Sequence, residues 1–176
     1  GKLNSIIYSM RNLFYLIILV LFTACGTGGY SFTGVDQGDA KTVSIDFFPN
    51  NADLVKPQLS QIFTEKLRDI FVQQTRLELL SRDGDLQFSG SIVKYTIEPI
   101  NAQASDIGAV AQNRLSIDVN VIFINTLEPE KDFEERFNRF IDFDSDADIN
   151  AIEEELHDQV CQELSENILN RAIGDW

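Results

Sequence analysis

Two cysteines, one histidine and half as many basic as acidic residues narrow what this 176-residue chain can do. Cys25 closes an apolar run and Cys161 sits in a helical pattern, so they make a poor disulfide pair and the fold needs another source of stability. The lone histidine, His157, is flanked by Glu154, Glu155 and Asp158, and neither a G-x-S-x-G elbow nor a phosphate-cradling glycine loop is present. The sequence therefore predicts no enzyme, no cofactor and no metal. Fourteen Lys and Arg against 28 Asp and Glu give a charge of −14, which argues against nucleic acid as a partner, since that binding rests on cations displacing counterions from phosphates. A local basic patch could still grip an anionic group. The apolar run at residues 13–22 is about half the roughly 20 residues that a membrane-spanning helix needs. No repeat with a period of about 20–50 residues is visible.

What is present begins at Met10-Arg11-Asn12, followed by that apolar run and then Thr23-Ala24-Cys25-Gly26. A positive start, an apolar stretch and a small-residue exit are the parts of a secretory signal peptide. The cysteine directly after Thr23-Ala24 resembles the lipobox of bacterial lipoproteins, with Phe22 standing where that motif usually has leucine. The sequence thus predicts a signal peptide over residues 1–24 with its true start at Met10, and lipidation of Cys25, palmitate included. A tether rich in Gly, Ser, Thr and Asp follows over 25–40. Several acyl chains, at about 0.8 kcal/mol per buried methylene, hold a protein on a membrane firmly. Gly26-Thr27-Gly28-Gly29 lacks an Asp at the second position and any acidic run, a pattern that points to the periplasmic side of the outer membrane. Removing Lys2 and Arg11 with the leader leaves 12 basic against 28 acidic residues, a charge of −16.

Residues 41–176 read as one α+β domain. Thr42-Val43-Ser44-Ile45-Asp46-Phe47 alternates with period two, as a half-buried strand does. Leu59, Ile62, Phe63, Leu67, Ile70 and Phe71 recur at helical spacing, and Pro57 suits a first turn, so a helix is expected over 57–74. A short strand can follow at 75–80, before the turn Asp83-Gly84-Asp85. Leu86, Phe88 and Ile92 share one parity and Val93, Tyr95 and Ile97 the other, which a bulge near 90–93 would reconcile. Residues 101–112 are mostly small and read as a mobile hairpin loop. Leu115, Ile117, Val119, Val121 and Phe123 alternate as the central strand, and Phe133, Phe137, Ile141 and Phe143 as another over 132–143, with Glu135 and Arg139 interrupting. Ile152, Leu156, Val160, Leu164, Ile168 and Ala172 recur every four residues in a final helix reaching about 173. The order β-α-(β)-β-β-β-α predicts a two-layer sandwich, two helices on a four- to five-stranded, mostly antiparallel sheet.

Two metal patterns are present and both have plainer readings. His157 and Cys161, with Glu153 a turn earlier, share a helix face. The expected state is a partly exposed histidine beside a cysteine at the edge of the core. Asp142, Asp144, Asp146 and Glu153 occupy positions 1, 3, 5 and 12 of a calcium-loop spacing, but Ala147 stands where the sharp turn needs glycine and a strand precedes it. Ser145, Asp146 or Asp148 capping the last helix explains these residues better.

The order of several segments resembles a known family. They are Cys25-Gly26, Tyr30-Ser31-Phe32-Thr33-Gly34, Thr42-Val43-Ser44-Ile45-Asp46-Phe47-Phe48-Pro49-Asn50-Asn51-Ala52, and Leu59-Ser60-Gln61-Ile62-Phe63-Thr64-Glu65-Lys66-Leu67-Arg68-Asp69. Asp83-Gly84-Asp85-Leu86-Gln87-Phe88-Ser89-Gly90, Asn113-Arg114-Leu115, Pro129-Glu130-Lys131-Asp132-Phe133-Glu134 and the terminal Trp176 continue it. Together they resemble LptE, the lipopolysaccharide-assembly lipoprotein family, in its Bacteroidetes form. The resemblance implies a non-catalytic plug and assembly partner inside the LptD β-barrel of the outer membrane, in contact with lipopolysaccharide. That cargo is anionic and the chain acidic, so the candidate contacts are Arg76, Arg82, Lys94, Arg114, Arg136 and Arg139, none placed by a family motif. The alternative is a free-standing periplasmic lipoprotein that binds a ligand between its helices and sheet.

Overall fold

A computed structural model of the chain describes residues 38–100 and 111–174; the leader, Cys25, most of the tether and residues 101–110 of the expected loop lie outside them. Five strands and two longer helices follow in the order β1 (Thr42–Ile45), α1 (Pro57–Gln74), β2 (Glu78–Leu80), β3 (Leu86–Ile100), β4 (Gln112–Asn125), β5 (Phe133–Asp144) and α2 (Ile149–Ile173). A short 3-10 turn at Pro129–Lys131 joins β4 to β5. The sheet order is β2-β1-β3-β4-β5. β3, β4 and β5 form an antiparallel meander, and β1 lies parallel to both β2 and β3. The fold is thus the expected α+β sandwich. Because β1 and β2 add to the far side of β3, the central strand is β3 and not the segment 115–124.

α1 forms where its apolar period and Pro57 place it, burying Leu59, Phe63, Leu67, Ile70 and Phe71. Its Arg68 guanidinium donates to the Ile45 carbonyl at 2.7 Å, at the point where β1 ends. The alternation over 42–47 therefore stops early. The backbone leaves the strand after Ile45, so Phe47 is 57% exposed and Phe48 enters the core instead. There the Phe48 amide donates to Thr64 Oγ1 at 3.1 Å and its ring packs edge-on against Phe63 at 5.1 Å.

The expected bulge is present in β3, where the register with β4 shifts between Ile92 and Lys94 and leaves Val93 as the extra residue. Leu86, Phe88 and Ile92 before it and Tyr95 after it are all buried. Gly90, at φ +150°, sits where an added Cβ would lie 2.0 Å from the Asn120 carbonyl oxygen.

Between β2 and β3 the chain must pass from one side of β1 to the other within residues 81–85. It does so directly over β1. A Cβ on Gly84 would lie 2.6–2.9 Å from backbone atoms of Val43 and Ser44, so only glycine lets the crossing strap approach this closely. The strap is fixed by the Gly84 amide donating to Ser44 Oγ and by the Asp85 carboxylate accepting from the Lys41 and Thr42 amides at 2.9 and 3.0 Å. These donors, the Lys41 amide first, hold the Asp85 carboxyl below the usual carboxylate range.

The core lies between the helices and one face of the sheet. A file of rings runs across it, Phe71 to Phe88 to Phe123 to Phe133, with centroids 4.7, 4.8 and 5.0 Å apart. Asp148 caps α2 by accepting from the Asn150 amide at 3.0 Å, one of the three capping residues expected.

Candidate functional site

A polar cluster lies at the edge of this core, with two of its members buried and two partly exposed. Lys56, just ahead of α1, Tyr95 on β3, and Glu153 and His157 on α2 converge at one end of the helix layer. Lys56 Nζ lies 2.6 Å from Glu153 Oε1, the Tyr95 hydroxyl donates to the same oxygen at 3.2 Å, and His157 Nε2 is 3.1 Å from that hydroxyl. His157 is 3% exposed, not partly exposed as its acidic neighbours suggested, because Tyr95 packs edge-on against its ring at 5.5 Å.

The electrostatics of the cluster favour holding over chemistry. Burial, opposed by Glu153 and reinforced by Lys56, pushes His157 below its ordinary value and keeps the ring neutral at pH 7. Burial, then Glu153, drives the Tyr95 phenol upward, so it remains a donor. Burial works against ionisation of Glu153, but Lys56, Tyr95 and His157 together outweigh it and hold the carboxyl low. Cys161 is fully buried within the core, not at its edge, and burial pushes its thiol up to about 12, far from nucleophilic. Among the described residues no three His, Cys, Asp or Glu side chains gather as a ligand set. The calcium-loop spacing is folded as strand, turn and helix, with Asp142 bound to Arg114, Asp148 capping α2 and Glu153 bound to Lys56.

This cluster makes stability depend on pH. His157 has a lowered folded pKa, so below its unfolded value of about 6.5 the unfolded chain takes up a proton that the folded chain resists. Its contribution is present above that value and is lost as pH falls through it. Urea midpoints at pH 7.5 and 5.5 should fall for the wild type and fall less for His157→Gln, and equal slopes would remove His157 as the cause.

The six candidate cations do not gather at one place. Lys94, Arg114 and Arg136 lie on the sheet face turned away from the helices, Arg139 lies on the helix side of β5, and Arg76 and Arg82 flank β2. On the open face carboxylates separate them. Arg114 grips Asp142 through two bonds of 2.7 and 2.9 Å while lying 3.7 Å over the Phe140 ring, and Arg136 binds Asp118 at 2.7 Å. That contact holds the Asp142 carboxyl low and the Arg114 guanidinium high. Arg139 approaches Glu163 at 3.8 Å. Sequence spacing could not separate bound from available cations, because the carboxylates stand on other strands, 18 and 28 residues away.

Large side chains fill the layer between helices and sheet. An open depression does occur between the helices, lined by Ile62, Ala151, Glu154, Glu155 and Asp158. Among the described residues no helix is long and apolar enough to cross a membrane.

Solved structures of similar architecture include a Xanthomonas campestris protein at TM-score 0.51 and 8% identity, covering 81% of this chain and 90% of that one. They also include a minor lipoprotein of Acinetobacter baumannii, TM-score 0.48, 12% identity, 75% and 91% covered. A third is a putative lipoprotein of Caulobacter crescentus, TM-score 0.44, 14% identity, 74% and 87% covered. At 8% identity the likeness to the first of these concerns the fold alone. No curated protein matches. The profile of the LptE family, described as lipopolysaccharide-assembly, matches residues 40–172. Covering all five strands, α1 and α2 up to its last residue, that match makes this chain a member of the LptE lipopolysaccharide-assembly family.

Proposed function

We propose that the protein is a lipid-anchored outer-membrane lipoprotein that serves as a non-catalytic plug and assembly partner of an LptD-type β-barrel during lipopolysaccharide transport. The family match across residues 40–172 carries this reading. The interior fits it: Tyr95 and His157 are bound to each other and, through Tyr95, to Glu153, and burial separately keeps the Cys161 thiol protonated. The anchor is Cys25 after cleavage of residues 1–24, with the domain on the periplasmic side. Lipopolysaccharide contact falls first to Lys94 and Arg82, which form no ion pair among the described residues, and next to Arg76, Arg114, Arg136 and Arg139.

The test is a pull-down of the tagged chain from gently solubilised membranes, run beside Cys25→Ala. A large barrel recovered at one-to-one stoichiometry is expected from the wild type, and the variant should fold but leave the membrane unless the barrel retains it. Recovery of the lipoprotein alone would favour the free-standing binding module.

A further inference from the structure

The two edges of the sheet differ. β2 is three residues long, whereas β5 pairs with β4 over twelve positions, Phe123 with Phe133 through Gln112 with Asp144, without a register shift. Among the described residues no backbone group outside β4 bonds to residues 133–143. No proline or bulge blunts this edge, and its outward amides and carbonyls can accept another strand, the Asn138 carbonyl exchanging the bond it now accepts from Arg139 Nη1 at 2.8 Å for an amide of the incoming strand.

We propose that β5 pairs antiparallel with β5 of a second copy, about a two-fold axis at Phe137. In this register Glu135 stands opposite Arg139 of the second copy twice, Phe133 opposite Ile141 twice, and Phe137 opposite itself. Every helix-side position thus meets its complement. Each other nearby centre sets a mismatch. On that same helix-side face, Arg139 at the axis faces itself, Arg136 at the axis sets Arg139 against Phe133, Asn138 at the axis sets Glu135 against Ile141, and Phe140 at the axis sets Arg139 against Ile141. On the open face the Phe137 centre places Arg136 opposite Asn138, Glu134 opposite Phe140 and, just beyond the strand, Asp132 opposite Asp142. Glu135 already bonds Arg171 at 2.9 Å and Arg139 approaches Glu163, so pairing lines up Arg171, Glu135, Arg139 and Glu163 with alternating sign across the two chains. A two-fold of this kind places the same patch on both partners and extends the sheet without leaving a β5 edge. The pairing concerns the chain outside any barrel complex and does not rest on the plug reading.

The test is a charge exchange on the full chain in detergent, read by sedimentation. Wild type should dimerise, and Glu135→Arg or Arg139→Glu alone should weaken the dimer by about tenfold or more, since each sets like charges opposite. Mixing the two variants should restore it, because in the mixed pair both cross-strand contacts are again opposite in sign. That recovery cannot come from a folding defect. A monomeric wild type at its highest soluble concentration overturns the proposal and leaves the edge to a strand from another protein. Dimers indifferent to both substitutions overturn it by placing the interface elsewhere.

Discussion

Gly90→Ala is expected to destabilise the domain by about 2–6 kcal/mol, through backbone strain and overpacking together. Its φ of +150° is one that L side chains rarely adopt, and the new methyl would lie 2.0 Å from the Asn120 carbonyl oxygen and 2.8 Å from the Phe48 ring. The first obstacle is backbone on the neighbouring strand, which cannot move without breaking the β3 to β4 ladder. Since a domain's whole stability is of order 5–15 kcal/mol, a loss of this size is a large share of it. Urea unfolding reads the effect as a lower midpoint at unchanged slope. A midpoint within error of the wild type would mean that β3 and β4 separate at this point far more easily than their register implies.

Phe88→Ala should cost about 3–5 kcal/mol, the range for deleting a buried aromatic side chain. Phe88 is 1% exposed and lies between Phe71 of α1 and Phe123 of β4, with centroids 4.7 and 4.8 Å away. Removing it breaks the file of rings that joins the helix layer to the meander. Phe88→Leu keeps most of the volume and should recover more than half of that loss. Thermal melts of the pair check this, and equal losses would show that ring contact, not volume, matters at this position.

Much of the fold was legible because its signals are local. Pro57 and the apolar period fixed α1 to the residue, and the parity switch between Ile92 and Tyr95 announced the bulge. The strand partners were less accessible. Nothing within 42–45 says that β1 lies between two parallel neighbours, since that arrangement depends on α1 and on a strap about 40 residues away. Phe47 continues the alternation in the sequence but is exposed for a similar reason: Arg68, 23 residues on, binds the Ile45 carbonyl where the strand ends. The burial of His157 needed Tyr95, 62 residues earlier. The cations were all visible in the sequence, but their pairing was not, because it is decided by register across β3, β4 and β5.

The strap at residues 81–85 also has a mechanical side. A pull on the chain ahead of Ala40 loads β1 along its own axis, and β1 is hydrogen-bonded to parallel strands on both flanks. Those ladders are then sheared together and not peeled open one bond at a time. Gly84 lies across β1 like a bar, held by Ser44, while Asp85 grips the amides of Lys41 and Thr42 where the load enters. A domain built this way transmits tension from its amino-terminal end into the middle of its sheet, and it should yield last at the strand nearest the point of pull.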